Sequence, residues 1–201
     1  MKQFLKDAKG HLMTGIGYML PLIIGASLVV AIPKLIALCF GITSLDPYAD
    51  GTGIWHIMKL IENVGWTGIG MVNTVLAGFI AYSIADKPAI GAGLIGGAVA
   101  SSTYAGFLGA VIAAFIAGYS VKWAKKHIKL PESMNSVMPL VVCPLIATGL
   151  VAVIMGVILA TPLAAINTWL VKWISSMCQN QSSQLVMALI LGAMIACDMG
   201  G

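Results

Sequence analysis

Uncharged apolar stretches alternate with short polar interruptions along almost the whole chain, and the stretches have the length of membrane spans, about 20 residues each. Residues 12–42 form the first, interrupted only by Pro21, Pro33 and Lys34. As one helix they would rise about 46 Å, more than the ~30 Å hydrocarbon core, which predicts a break or kink at a proline or an interfacial lead-in. Residues 43–63 hold Asp46, Asp50, Lys59 and Glu62 and read as a loop with a short surface helix from Ile54. The second span covers 65–85, and Asp86-Lys87-Pro88 makes a tight turn in which proline opens the next helix. Residues 89–103 and 104–121 read as two short, closely packed helices, with a re-entrant pair as the alternative. Residues 137–160 span again, with Pro139 and Pro144 in the first turns. Residues 161–184 mix polar and aromatic side chains and suit an amphipathic interfacial helix and loop. A last hydrophobic segment occupies 185–201. The fold class is an all-α integral membrane protein, a multi-span helical bundle with broken or short helices, forming one domain over 1–201.

Composition supports lipid as the solvent. Hydrophobic residues are 59% and charged residues 9% of the 201, against about 25% charged in soluble domains. Disorder and nucleic-acid binding are both excluded as readings, because the first needs high charge and the second a dense basic face. The charges carry topology instead. Lys2, Lys6 and Lys9 precede the first span, Lys87 follows the second, and Lys122, Lys125, Lys126 and Lys129 follow the fourth. Positive residues collect on the cytoplasmic side of short loops. The N-terminus and the loops 86–88 and 122–136 are therefore expected inside, with Lys172 the one exception. No signal-peptide cleavage site follows the first lysines. Four scattered cysteines, Cys39, Cys143, Cys178 and Cys197, read as small buried apolar residues, with no disulfide framework and no metal site.

Few residues offer chemistry. Ionisable groups inside spans are costly and often functional. Lys34 fits either snorkelling at an interface or a substrate contact. Asp198 follows a long apolar run and meets Met199, Gly200 and Gly201, a setting in which a carboxylate beside flexible backbone can accept hydrogen bonds from substrate hydroxyls. Its bland counterpart is a helix-terminal acid at the water interface. Asn73 and Thr74 point to a hydrogen bond with a neighbouring helix or with a substrate. His11 lies at the membrane entry. The 23 glycines read mainly as close helix packing, as in Gly93-x-x-x-Gly97 and Gly192-x-x-x-Ala196-x-x-x-Gly200, and otherwise as marks of broken helices. No phosphate-binding loop, nucleophile elbow or zinc motif is present, so no catalytic residue, metal or cofactor is expected.

Several strings in order resemble one family. His11-Leu-Met-Thr-Gly-Ile-Gly-Tyr-Met-Leu-Pro21 is similar to the opening of the fructose-family enzyme IIC, the membrane component of the bacterial phosphoenolpyruvate-dependent sugar phosphotransferase system. So are Leu76-Ala-Gly-Phe-Ile-Ala-Tyr-Ser-Ile-Ala-Asp-Lys-Pro88, Gly93-Leu-Ile-Gly-Gly97, Gly106-Phe-Leu-Gly109 with Ala117-Gly-Tyr119, and Thr161-Pro-Leu-Ala-Ala-Ile-Asn167. Asp198-Met-Gly-Gly201 looks like the start of an Asp-Met-Gly-Gly-Pro-x-Asn-Lys motif.

The resemblance implies a permease of the bacterial cytoplasmic (inner) membrane that binds a fructose-like hexose near the bilayer midplane and moves it inward by alternating access. The sugar is phosphorylated as it passes, the phosphate coming from a cysteine on a partner domain, enzyme IIB, and enzyme IIA is the other phosphotransfer partner implied. A homodimer in lipid is expected. Asp198, Gly200 and Gly201 map onto the buried motif, with His11 and Asn73 as further substrate-binding candidates. The Pro-x-Asn-Lys completion and a later Thr-Glu-Gly-Ala-like segment do not occur in these residues, so the expectation is an N-terminal part of a split or truncated permease, or a remnant inactive alone. Cys143-Pro144 lacks the Thr-Gly of a phosphorylated-cysteine loop, so phosphoryl chemistry must come from another polypeptide. A secondary transporter or channel subunit without phosphoryl coupling is the alternative function.

Overall fold

The computed structural model of the chain describes residues 2–128, 137–179 and 188. The expected last segment, 185–201, lies outside the described residues save for 188, as do 129–136 of the expected basic loop, while 122–127 belong to a helix rather than to a loop. Seven α-helices follow one another, with no strand among the described residues: α1 Lys2–Cys39, α2 Ile54–Gly70, α3 Val72–Ala85, α4 Lys87–Ser102, α5 Gly106–His127, α6 Cys143–Val153 and α7 Ala160–Gln179. Among the described residues four stretches are long and apolar enough to cross a membrane, Lys6–Cys39, Ile54–Ala85, Gly106–His127 and Met138–Leu159.

The first helix does not break. It runs 38 residues through Pro21 and Pro33, about 57 Å at 1.5 Å per residue. Proline removes one hydrogen bond but is tolerated in membrane helices, where neighbouring groups re-satisfy the freed carbonyl. The region 43–63 is also more ordered than a loop. After a single 3-10 turn at Asp46–Tyr48, α2 starts at Ile54 and runs on to Gly70 rather than ending as a short surface helix. Only Met71 separates it from α3.

α1 lies antiparallel along α2 and α3 in one continuous register. Ser83 meets His11, Phe79 stacks on Tyr18 with ring centroids 4.1 Å apart, and Glu62 reaches Lys34. Between these, Ile80 packs on Gly15, Gly68 faces Ala26 and Gly65 faces Val30, all too close to admit a Cβ on the glycine. The outer face of α1, with Leu20, Ile24, Leu28, Ile32 and Leu35, is exposed. So broad an apolar face belongs in lipid.

The core lies between α3, α4, α5 and α6 and is built largely of alanine and glycine. Small residues let helices approach closely where no hydrophobic effect drives them together. A Cβ on Gly93 would stand 2.7 Å from the Ala77 carbonyl oxygen and 2.9 Å from Gly78 Cα, and one on Gly97 would overlap Asn73. The Gly93-x-x-x-Gly97 pair is thus the α3–α4 contact itself. Asp86 ends α3 and starts α4 with φ 63° and ψ −162°, a positive-φ backbone that residues with a Cβ rarely adopt.

The segment 138–159 alternates between π-helix and α-helix. Residues 138–142 and 154–159 are wide π turns flanking α6. At the first of these, Cys143 N–H reaches back to the Met138 carbonyl just before Pro144, which has no N–H to offer. Widening the turn absorbs the missing donor. α7 carries Trp169 stacked on Trp173 with centroids 6.5 Å apart and, on its described side chains, is exposed nearly throughout. That suits an interfacial helix.

Candidate functional site

The polar groups of the helices gather at three levels along the α1/α2–α3 hairpin. At the first, His11 Nδ1 and Ser83 Oγ are 2.7 Å apart. Beside them Lys125, in the last turn of α5, donates to the Ala85 carbonyl at 2.7 Å and stands 3.7 Å from an Asp86 carboxylate oxygen. A cation at the carbonyl end of α3 satisfies an orphan acceptor and complements the helix dipole. A cleft of about 590 Å³ opens at this end between Tyr82, Asp86, Lys87, Pro88 and the stretch from Pro139 to Pro144.

The far level is a charge network that sequence reasoning missed. Glu62, 3% exposed, accepts from Lys34 at 3.1 Å, from Lys59 at 3.2 Å and from Trp66 Nε1 at 3.0 Å. Lys59 also bonds Asp46 at 2.5 Å, and Lys34 sits 5.2 Å over the Trp66 ring. The Lys59 hydrogen bond, helped by one from Ser44, holds the Asp46 carboxyl below its ordinary range. Lys34 therefore neither snorkels from a broken helix nor stands alone. The available signal was spacing: Lys59, Glu62 and Trp66 fall at i, i+3 and i+7, one helical face, and a lysine within an apolar run calls for an acid.

Between these levels neither helix carries a charge: residues 12–33 and 63–82 contain no Lys, Asp or Glu. From His11 to Lys34 the rise is about 34 Å, close to the ~30 Å of a bilayer core. Midway stands Asn73, ten residues from Ser83 and eleven from Glu62. Its Nδ2 donates to Ser101 Oγ at 3.2 Å. Ser102 and Thr103 follow, both donating to the Val99 carbonyl, at 3.0 and 2.7 Å.

Of the substrate-binding candidates, His11 and Asn73 are both placed, but not together: they lie on different levels, about 15 Å apart in depth. Asp198, Gly200 and Gly201 lie outside the described residues. Ser101, Ser102 and Thr103 join Asn73, though the sequence placed them only at the end of the first of two short helices.

Long apolar helices, an alanine–glycine core and charges kept to the two ends of the first helical hairpin define a polytopic all-α membrane protein. Comparison with known sequences narrows the class. The family model "Phosphotransferase system, EIIC" matches residues 13–201, and the chain belongs to that family. It is accordingly an integral protein of the cytoplasmic membrane. Relatives include a PTS system fructose-specific EIIABC component of Bacillus subtilis, 38% identical over 95% of this chain and 29% of its own length. The fructose-like permease IIC component 2 of Escherichia coli is 34% identical over 99% of this chain and 53% of its own. A fructose-specific EIIB'BC component of Xanthomonas campestris is 40% identical over 97% of this chain and 34% of its own. The chain thus spans about half or less of the length of these relatives. No solved structure matches it.

Proposed function

We propose that the chain forms part of the translocation unit of a sugar phosphotransferase permease for a fructose-like hexose, which is phosphorylated as it crosses. The observation carrying this reading is the polar pair Asn73–Ser101 halfway along an uncharged helical hairpin, in a chain matched to the EIIC family over 13–201. Hydroxyl and amide groups at such depth are the chemistry a neutral polyhydroxylated solute needs. Relatives named fructose-specific or fructose-like support the substrate class, and the EIIABC and EIIB'BC relatives support IIA and IIB phosphotransfer partners.

In this reading the bilayer core lies between the His11–Ser83 and Lys34–Glu62 levels. Lys87, Lys125 and Lys126 share the His11 end, so that end and the N-terminus face the cytoplasm. Asn73 contacts the sugar at mid-depth. Asp198, with Gly200 and Gly201, supplies a carboxylate and open backbone for its hydroxyls. His11, with Nδ1 engaged by Ser83, offers Nε2 at the cytoplasmic mouth. Lipid and a second copy of the chain cover the apolar face of α1.

Right-side-out vesicles carrying the chain in its native assembly test this. With phosphoenolpyruvate inside and the soluble phosphotransfer proteins present, external radiolabelled fructose should appear inside as a phosphate ester. Free fructose accumulating without phosphoenolpyruvate would favour an uncoupled transporter, and absence of uptake would refute the proposal.

A further inference from the structure

α4 and α5 begin and end at the same level. α4 starts at Asp86, and α5 returns so that Lys125 bonds Ala85, the residue just before it. Their connection, by contrast, meets α3 at Asn73, midway between Ser83 and Glu62. α4 is 16 residues long, about 24 Å, which is short of a bilayer core. At Ser101 the chain is therefore about 15 Å short of the Lys34–Glu62 level, and α5, 22 residues long, sets out from just beyond it.

Its backbone is irregular there. Tyr104 has φ 57° and Gly106 φ 61°, so the helix is interrupted by two left-handed residues, one of them bulky. Irregular backbone at membrane depth is tolerated only where protein buries it or water reaches it. Among the described residues Ser102 is exposed and Tyr104 is 76% exposed, so no described helix buries the turn.

We propose that residues 101–106 form the floor of an aqueous vestibule opening toward the Lys34–Glu62 face, and that their hydroxyls receive a neutral polyhydroxylated solute. α4 and α5 fill the depth on the other side, which fixes the direction of the opening. Ser102 and Thr103 spend their protons on the Val99 carbonyl. Each oxygen thus presents lone pairs, the acceptor that a sugar hydroxyl seeks. This deepens the sugar-permease reading and rests on it for the solute, while the vestibule rests on its placement of the bilayer between the two polar levels.

The test uses single cysteines in the otherwise cysteine-free chain in membranes: Ser102→Cys and Thr103→Cys at the floor, Ser44→Cys at the Lys34–Glu62 face, and His127→Cys at the opposite end. A small cationic methanethiosulfonate added on the Ser44 side should label both floor positions, while a polyethylene-glycol maleimide should label only Ser44→Cys. Fructose at about ten times its Kd should slow floor labelling about tenfold, in proportion to the unoccupied fraction. Equal maleimide labelling at floor and rim would place the turn at the surface and overturn the vestibule. So would floor labelling only from the His127 side, or by neither reagent. Labelling unaffected by fructose, in membranes that still take fructose up, would overturn the solute contact while leaving sugar transport standing.

Discussion

Lys34 Nζ lies 3.1 Å from Glu62 Oε1, and this contact ties the far end of α1 to α2 by way of an almost fully buried carboxylate. Glu62 also holds Lys59, itself buried. Removing the acid should therefore cost more than removing Lys34, whose side chain is half exposed. Glu62→Ala is expected to destabilise the detergent-solubilised protein by about 1–3 kcal/mol, since buried Lys59 keeps only Asp46 and Trp66 Nε1 loses its acceptor. Lys34→Ala should cost about 1 kcal/mol or less. Pairing Glu62→Leu with Lys59→Met should restore most of the loss. Thermal unfolding of the three variants decides, and equal effects of the two single changes would show that the network has no buried hub.

The helix contact between α3 and α4 gives a second contrast. A Cβ at Gly93 would press on the Ala77 carbonyl and Gly78 Cα, which are backbone atoms that cannot rotate away. Gly93→Ala should destabilise by about 1–3 kcal/mol through overpacking. Gly91, two residues earlier on the same helix, has nothing within 4 Å of its would-be Cβ. Gly91→Ala should leave stability unchanged or raise it by up to about 1 kcal/mol from helix propensity. Similar unfolding midpoints for the two variants would contradict this packing.

Asp46 predicts a pH effect with a definite sign. Its folded pKa is depressed below the ordinary 3.8 by Lys59 and Ser44. Its contribution is therefore complete above that value and disappears as the pH falls through the lower folded pKa. Asp46→Asn should lower the unfolding temperature near neutrality, and the gap to the unsubstituted protein should close in acid, below pH 3.8. A gap constant with pH would show that the Lys59–Asp46 bond does not form in solution.

Much of this architecture was legible in the sequence, and the parts that were not share a cause. Apolar length located the helices, and Asp86-Lys87-Pro88 marked the α3–α4 junction. Of the alternatives for the long first stretch, a break at Pro21 or Pro33 does not occur, because proline is accommodated among neighbouring helices in lipid. Charge misled at Lys59 and Glu62, which looked like solvated loop residues because their partners, Lys34 and Asp46, come from other segments. Pairing of that kind depends on tertiary register. Ser101 likewise gained meaning only when α3 brought Asn73 to it.

In the native assembly, Asp198→Asn should reduce phosphoenolpyruvate-dependent fructose uptake about ten- to hundredfold, the equivalent of one or two hydrogen bonds to a charged group, with membrane insertion unchanged. Asn73→Ala should raise the KM for fructose more than it lowers the maximal rate. Uptake indifferent to Asp198→Asn would return that carboxylate to an interfacial role.

The most direct measurement is a nitroxide scan along α1, reading collision with oxygen, which concentrates in lipid, and with a water-soluble nickel chelate. With the bilayer core between the His11–Ser83 and Lys34–Glu62 levels, oxygen accessibility of outward-facing positions should be greatest near Leu22 and Ile23. Nickel accessibility should rise before His11 and again after Lys34. An oxygen maximum displaced to either end of the helix, or high nickel accessibility at Leu20 and Ile24, would contradict that placement and remove Asn73 from the membrane midplane.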